Sequence, residues 1–187
     1  MSATFSVGQM NQLGDALELA GFTPDEVTKL RNFPHLKDFK KVINGHAQIV
    51  VVKHVIDLDV APHVPDNWKV ENHKKGGQLD WDPEKIQLYL SAEQQDGKLI
   101  KGDKLREELE THPVYNANLL DYLMAHPELI PESWKGKAIF FWGTIYRYSD
   151  GGLYVRYLFW NGDSWRWYGR WLDPDFNSSN PAAVAGK

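Results

Sequence analysis

The chain has 187 residues, 42% of them hydrophobic and 25% charged, with a net charge of -4 and no cysteine. That length suits one good domain or two small ones of ordinary globular composition. The lack of cysteine removes disulfides, thiolate nucleophiles, Cys-type zinc sites and iron–sulfur ligation together, and no catalytic or cofactor motif occurs elsewhere, so no cofactor is expected.

At the N-terminus, MSATFSVGQMNQLGD has no basic region followed by an apolar run, and the longest aliphatic run is Ile49 to Val52. A cytoplasmic protein without membrane association is the expectation. Residues 1–60 read as a helix–helix–strand unit. Ser6 and Gln9 match a capping box, after which Met10, Leu13, Leu17 and Ala20 recur at helical spacing until Gly21. Thr23 and Pro24 open a second helix through Val27 and Leu30, and the β-branched stretch from His46 to Val60 reads as a strand.

Residues 61–77 hold two prolines, two glycines and many polar side chains, which predicts a linker or long surface loop. Trp68 is the exception there, because a large ring on a connector docks on a neighbouring element. A helical block follows. Asp82-Pro83 predicts a capped helix carrying Ile86, Leu88, Tyr89 and Leu90 that fades near Gly97. Asp103 caps a second helix with Leu105 and Leu109, and a third runs from about Tyr115 to Ala125, ending at His126-Pro127. Leu129, Ile130 and Trp134 seal this block, and the polar tail 173–187 is expected to be loosely ordered.

Between Ile139 and Leu172, 13 of 34 residues are aromatic and four of the six arginines occur. Two glycine turns divide the stretch into a three-stranded antiparallel meander. Residues 137–172 hold five Lys or Arg against two Asp, whereas the rest holds 16 against 23 Asp and Glu. A basic aromatic sheet on an acidic body favours an anionic partner locally.

Turn chemistry decides which side chains share a face. Ser149-Asp150-Gly151 suits a G1-bulge hairpin, which pairs Phe141 with Phe159, Ile145 with Val155 and Arg147 with Leu153. Asn161-Gly162 has two readings. A two-residue turn puts Trp165 and Trp167 beside Trp142 and Arg156, with Arg166 and Arg170 on the apolar side. A bulged turn segregates polarity more cleanly and is preferred. It collects Trp142, Tyr146, Tyr154, Arg156, Trp160, Arg166, Tyr168 and Arg170 on one face, and its drawback is Arg156 opposite Arg166, a like-charge pair that is unfavourable unless an anion or carboxylate sits between them. Such a surface stacks planar groups and pairs with carboxylate or phosphate, and the same composition marks protein–protein hot spots. It can equally pack against the rest of the protein. A binding site there predicts that Trp160→Ala and Arg156→Ala leave the thermal melt almost unchanged.

Other polar groupings are weaker. His54, Asp57, Asp59 and His63 lie within ten residues, but a strand would point His54 away from the two aspartates. His112, Asp121 and His126 have generic spacing and no oriented nucleophile. Three short helices followed by a hairpin have the outline of a winged helix, yet DKLREELE is acidic and the third helix lacks Lys and Arg.

Several long motifs carry a resemblance over roughly the last 110 residues: KGG at Lys75 to Gly77, WDP at Trp81 to Pro83, and NANLLDYLMAHPELIPESWKGK from Asn116 to Lys137. FFWGTIYR from Phe140 to Arg147, VRYLFWNG from Val155 to Gly162 and PAAV near the end complete the set. The chain resembles a family of small uncharacterised bacterial proteins. The resemblance implies a bacterial intracellular origin and transfers no functional residue.

The reading is therefore an α+β protein: an N-terminal unit (1–60), a loop (61–77), a helical block packed on an aromatic meander (78–172) and a tail (173–187). Its expected function is non-enzymatic binding of an anionic peptide or protein surface through the eight-residue face. Nucleic-acid binding is the alternative and a small hydrolase or metal-dependent enzyme a remote one. Oligomeric state is left open.

Overall fold

A computed structural model describes residues 4–50 and 52–186, so Met1 to Ala3, Val51 and Lys187 lie outside the described residues. The chain is α+β and divides into two compact units, Met1–Val52 and Lys53–Lys187.

The first unit is three short helices: α1 (Val7–Leu19), α2 (Pro24–Leu30) and α3 (Leu36–Ile43). The expected capping box of α1 forms, and α2 has one as well. Ser6 Oγ accepts from the Gln9 amide and Gln9 Oε1 accepts from the Ser6 amide at 2.9 Å, and Thr23 and Glu26 repeat the exchange. Gly21, at φ 83°, takes the left-handed conformation that ends α1. α3 was not expected. Leu36, Phe39, Val42 and Ile43 carry its helical spacing, which the His35-Pro34 flank obscured. Within the stretch expected as a strand, only β1 (Val55–Asp57) is one, because pairing with a partner, not β-branching, decides extent; Val51 lies outside the described residues. Among the described residues of this unit none is buried.

The second unit is built on a six-stranded sheet of β2 (Trp68–His73), β4 (Ile86–Tyr89), β6 (Ala138–Tyr148), β7 (Leu153–Trp160), β8 (Trp165–Trp171) and β10 (Ala182–Ala185). Its order is β4-β10-β6-β7-β8, with β2 on the far part of β6. Two small ladders flank it: β1 with β3 (Gln78–Asp80), and β5 (Ile100–Lys101) with β9 (Asp175–Phe176). Helices α4 (Gly102–Leu109) and α5 (Ala117–Ala125) complete the unit.

Three expectations are corrected here. The loop 61–77 contains β2, antiparallel to β6, and Trp68 docks on Tyr146 and Tyr154 as its size demands. The helix expected after Asp82 stops after one 3-10 turn, although Asp82 does cap it; Ile86 to Tyr89 then extend as β4, since a short apolar run takes the conformation its partner offers. That partner is the tail. β10 lies between β4, antiparallel, and β6, parallel, with Ala182 and Ala183 fully buried.

Both faces of the sheet are covered. Leu158 enters a core with Leu119, Leu120 and Leu123 of α5, Trp134, Ile139 and Phe141. Its neighbours Val155 and Tyr157 enter another with Leu105 and Leu109 of α4, Phe140, Ile145 and Phe176. A run such as Ile-Phe-Phe-Trp in β6 is apolar throughout for this reason. The register of β6 on β7 shifts between Phe140 and Ile145. At that bulge the backbone of Gly143 bonds to Tyr115 and Lys74, and a Cβ there would lie 2.8 Å from the Asn116 amide. Asn116 donates to the carbonyls of Leu58 (2.7 Å) and Lys74 (2.9 Å), and Asn118 to that of Val60 (2.8 Å). The Asn-Ala-Asn motif thus ties residues 58–74 to the start of α5.

Candidate functional site

The β7–β8 hairpin positions the residues expected to bind. The first turn, between β6 and β7, has Gly151 left-handed at φ 90°, and it pairs Ile145 with Val155 and Arg147 with Leu153. Beyond the bulge the pairing changes: Phe140 faces Tyr157 and Ala138 faces Phe159, so Phe141 does not meet Phe159. The second turn is a four-residue loop. Asn161 Oδ1 accepts from the amides of Asp163 (3.0 Å) and Ser164 (2.8 Å), and Trp160 closes opposite Trp165.

This register divides the eight residues between two faces, which corrects the segregated reading. Opposite Arg156 stands Gly169, not Arg166. Trp160, Trp165, Trp167 and Arg156 point toward α5, while Arg166, Tyr168 and Arg170 share the other face with Tyr157 and Phe159. The polarity argument failed because both faces are apolar in the fold, leaving polarity no power to choose between turns.

Three of the eight are interior. Arg156 is fully buried, its guanidinium clamped by Asp121 through Nη1 (3.0 Å) and Nη2 (2.6 Å) and lying 3.9 Å from the Trp167 ring centroid. Tyr146 is buried beside it and donates to the His63 carbonyl at 3.0 Å; burial raises its phenol pKa. Trp142 packs on Phe176 in the opposite core. Trp160 is half-buried, with the Lys135 ammonium 4.0 Å over its ring, and Tyr154 is half-buried against Trp68.

The remaining three gather on the outer face. Tyr168 is 60% exposed and stacks on Phe159, centroids 5.5 Å apart and 25° from parallel. Phe159 continues to Tyr157 and then Phe140, making a row of four rings. Arg166 is exposed at the register position opposite Phe159, and among the described residues its side chain has no hydrogen bond or ion pair. Arg170 is half-buried over the Phe176 ring and donates to the Asp175 carbonyl. Burial raises the Tyr157 pKa, while Arg170 partly offsets it. The two-residue reading of Asn161-Gly162, which has the correct parity, was the signal that could have placed Arg166 and Arg170 on this face.

A wide, shallow concavity of about 380 Å³ is lined by Asp57, His63, Asn118, Asp121 and Tyr122 among others. Three of its polar side chains are spent internally: Asp121 on Arg156, Asn118 on Val60, and Asp57 on the Asp59 amide. His54 bonds Tyr122 at 2.9 Å and packs on His126, while His112 stacks on Tyr89. Among the described residues no group of three or more His, Asp or Glu is placed to hold a metal ion. No helix among them is long and apolar enough to cross a membrane. With Ile86 to Tyr89 a strand, the expected block of three helices holds two α-helices among the described residues, α4 and α5. Comparison with family models, curated proteins and solved structures finds no match for this chain.

Proposed function

We propose that the chain is a non-enzymatic binding module, and that an anionic peptide or protein surface docks on the outer face of the β7–β8 hairpin. One observation carries this reading: an exposed tyrosine stacked on Phe159, next to an arginine without an internal partner. Stacked rings present apolar area already ordered before binding, so little rotamer entropy is lost on contact. A guanidinium alongside fixes a carboxylate through two parallel hydrogen bonds. Arg170, held by Phe176 and Asp175, sets the edge of the patch, while Tyr157 extends its apolar floor.

Titration with poly-L-glutamate at low ionic strength, followed by tryptophan fluorescence, tests the reading. Binding is expected, and Arg166→Glu with Tyr168→Ala should weaken it roughly tenfold or more without moving the thermal melt. Absence of binding at low salt removes the proposal. Equal or tighter binding of a single-stranded oligonucleotide would move it to nucleic acid.

A further inference from the structure

One edge of the six-stranded sheet is β8, which pairs with β7 alone. Its seven residues run in unbroken register, whereas β4 has four residues and β2 carries a register shift between Val70 and Asn72. In an antiparallel pair, alternate residues turn their backbone groups toward the partner and the rest turn theirs away. The Leu172 amide donates to the Leu153 carbonyl at 3.0 Å and the Asn161 amide to the Ser164 carbonyl at 3.1 Å, which sets the phase: Arg166, Tyr168 and Arg170 bond to β7. The N–H and C=O groups of Trp165, Trp167, Gly169 and Trp171 therefore face outward, and among the described residues none of them is hydrogen-bonded. Edges of this kind are ordinarily blunted by proline, lysine or a bulge, and β8 has none of the three.

Charge decides which strand the edge accepts. Arg166 and Arg170 lie on one face of β8 with Tyr168 between them, about 13 Å apart at the usual rise per residue. Neither has a carboxylate partner among the described residues; Arg170 donates to the Asp175 carbonyl. A second copy of β8, laid antiparallel so that all seven residues pair, would set Arg166 against Arg170, and like charges directly opposite are destabilising. An acidic strand brings carboxylates to the same two positions.

We infer that an acidic peptide binds in extended form along β8 and adds a strand to the sheet. Its backbone pairs with the outward groups of Trp165, Trp167, Gly169 and Trp171. Two acidic side chains four residues apart meet Arg166 and Arg170, and an apolar side chain midway between them lies over Tyr168. In such strand addition the main-chain bonds give affinity and the alternate side chains give specificity. The inference rests on the reading of the hairpin as a peptide-binding surface and adds how the peptide is held.

The test titrates the full chain at low ionic strength with the acetylated, amidated peptide Thr-Glu-Thr-Leu-Thr-Glu-Thr, followed by tryptophan fluorescence. Two analogues carry N-methyl groups, one on every Thr amide and the other on the Glu and Leu amides. Alternate amides of an added strand face β8, so one analogue should bind roughly tenfold or more weakly while the other matches the parent. Amide exchange followed by NMR gives a second readout. In the complex the Trp167 and Gly169 amides should slow roughly tenfold or more, with little change at Arg166, Tyr168 and Arg170, which are already bonded to β7. A parent peptide that binds while the two analogues are weakened equally, or bind equally well, overturns strand addition and leaves the surface reading standing. A parent that fails where poly-L-glutamate binds also overturns strand addition alone. Failure of both ligands removes the reading of the hairpin as well.

Discussion

Arg156 stands at a position that sequence reasoning offered to a ligand, and its carboxylate partner comes instead from α5. A buried guanidinium left alone is far more costly than a paired one, so Asp121→Ala should destabilise the second unit by about 3 kcal/mol. The low end of the range applies because the Asp121 side chain is 32% exposed. Urea unfolding measures this, and adding Arg156→Met, which removes the orphaned charge, should recover much of the loss. Arg156→Ala itself should lower the melting temperature clearly, contrary to what a surface site predicts. Tyr89 gives a second test at this scale. Burial first, then its hydrogen bond to Glu108, pushes its pKa up to about 12. A raised pKa means the folded state holds its proton longer than the unfolded state, whose tyrosines titrate near 10. Stability from this group is therefore complete below about pH 10 and is lost as pH rises toward about 12. Tyrosinate absorbance against pH, with Tyr89→Phe as control, should show one late-titrating phenol disappear.

At the level of elements, side-chain size explains β10 better than propensity does. Alanine is a poor strand former, but small side chains let β10 fit between β4 and β6 beneath the packing on both faces. Ala183→Leu should overpack that site and cost about 1–3 kcal/mol, read by thermal or urea unfolding. Local signals made several elements legible: the capping box of α1, the Thr23-Pro24 start of α2, and the left-handed glycine at 151. β2, β4 and β10 were not legible, since each is a short stretch whose conformation is set by a strand some 70 to 100 residues away in sequence. At the site, the aromatic hairpin could be read but its faces could not. The bulge in β6 changes which side points where and has no distinctive residue pattern, while the four-residue turn keeps the parity of the two-residue reading that polarity had argued against.

Across the whole molecule, stability should be uneven. Short helices without buried residues open at low free energy, whereas β6 and β7 contribute to both cores. Amide hydrogen exchange should show weak protection in α1 to α3 and the strongest protection in β6 and β7. The net charge of -4 likewise conceals separate local fields: an acidic and a basic helix in one unit, and on the hairpin of the other Arg166, exposed and without an ion pair among the described residues.

The position of β10 governs how the second unit is made. It is the last strand of the sheet in chain order, yet it sits in the interior, between β4 and β6. During translation, β4 and β6 leave the ribosome with a vacant slot between them, and they present open edges until residues 182–185 emerge. The sheet is thus completed only after nearly all of it has been synthesised. A nascent chain halted anywhere before β10 would carry those edges into the cell, ready to capture strands from neighbouring chains.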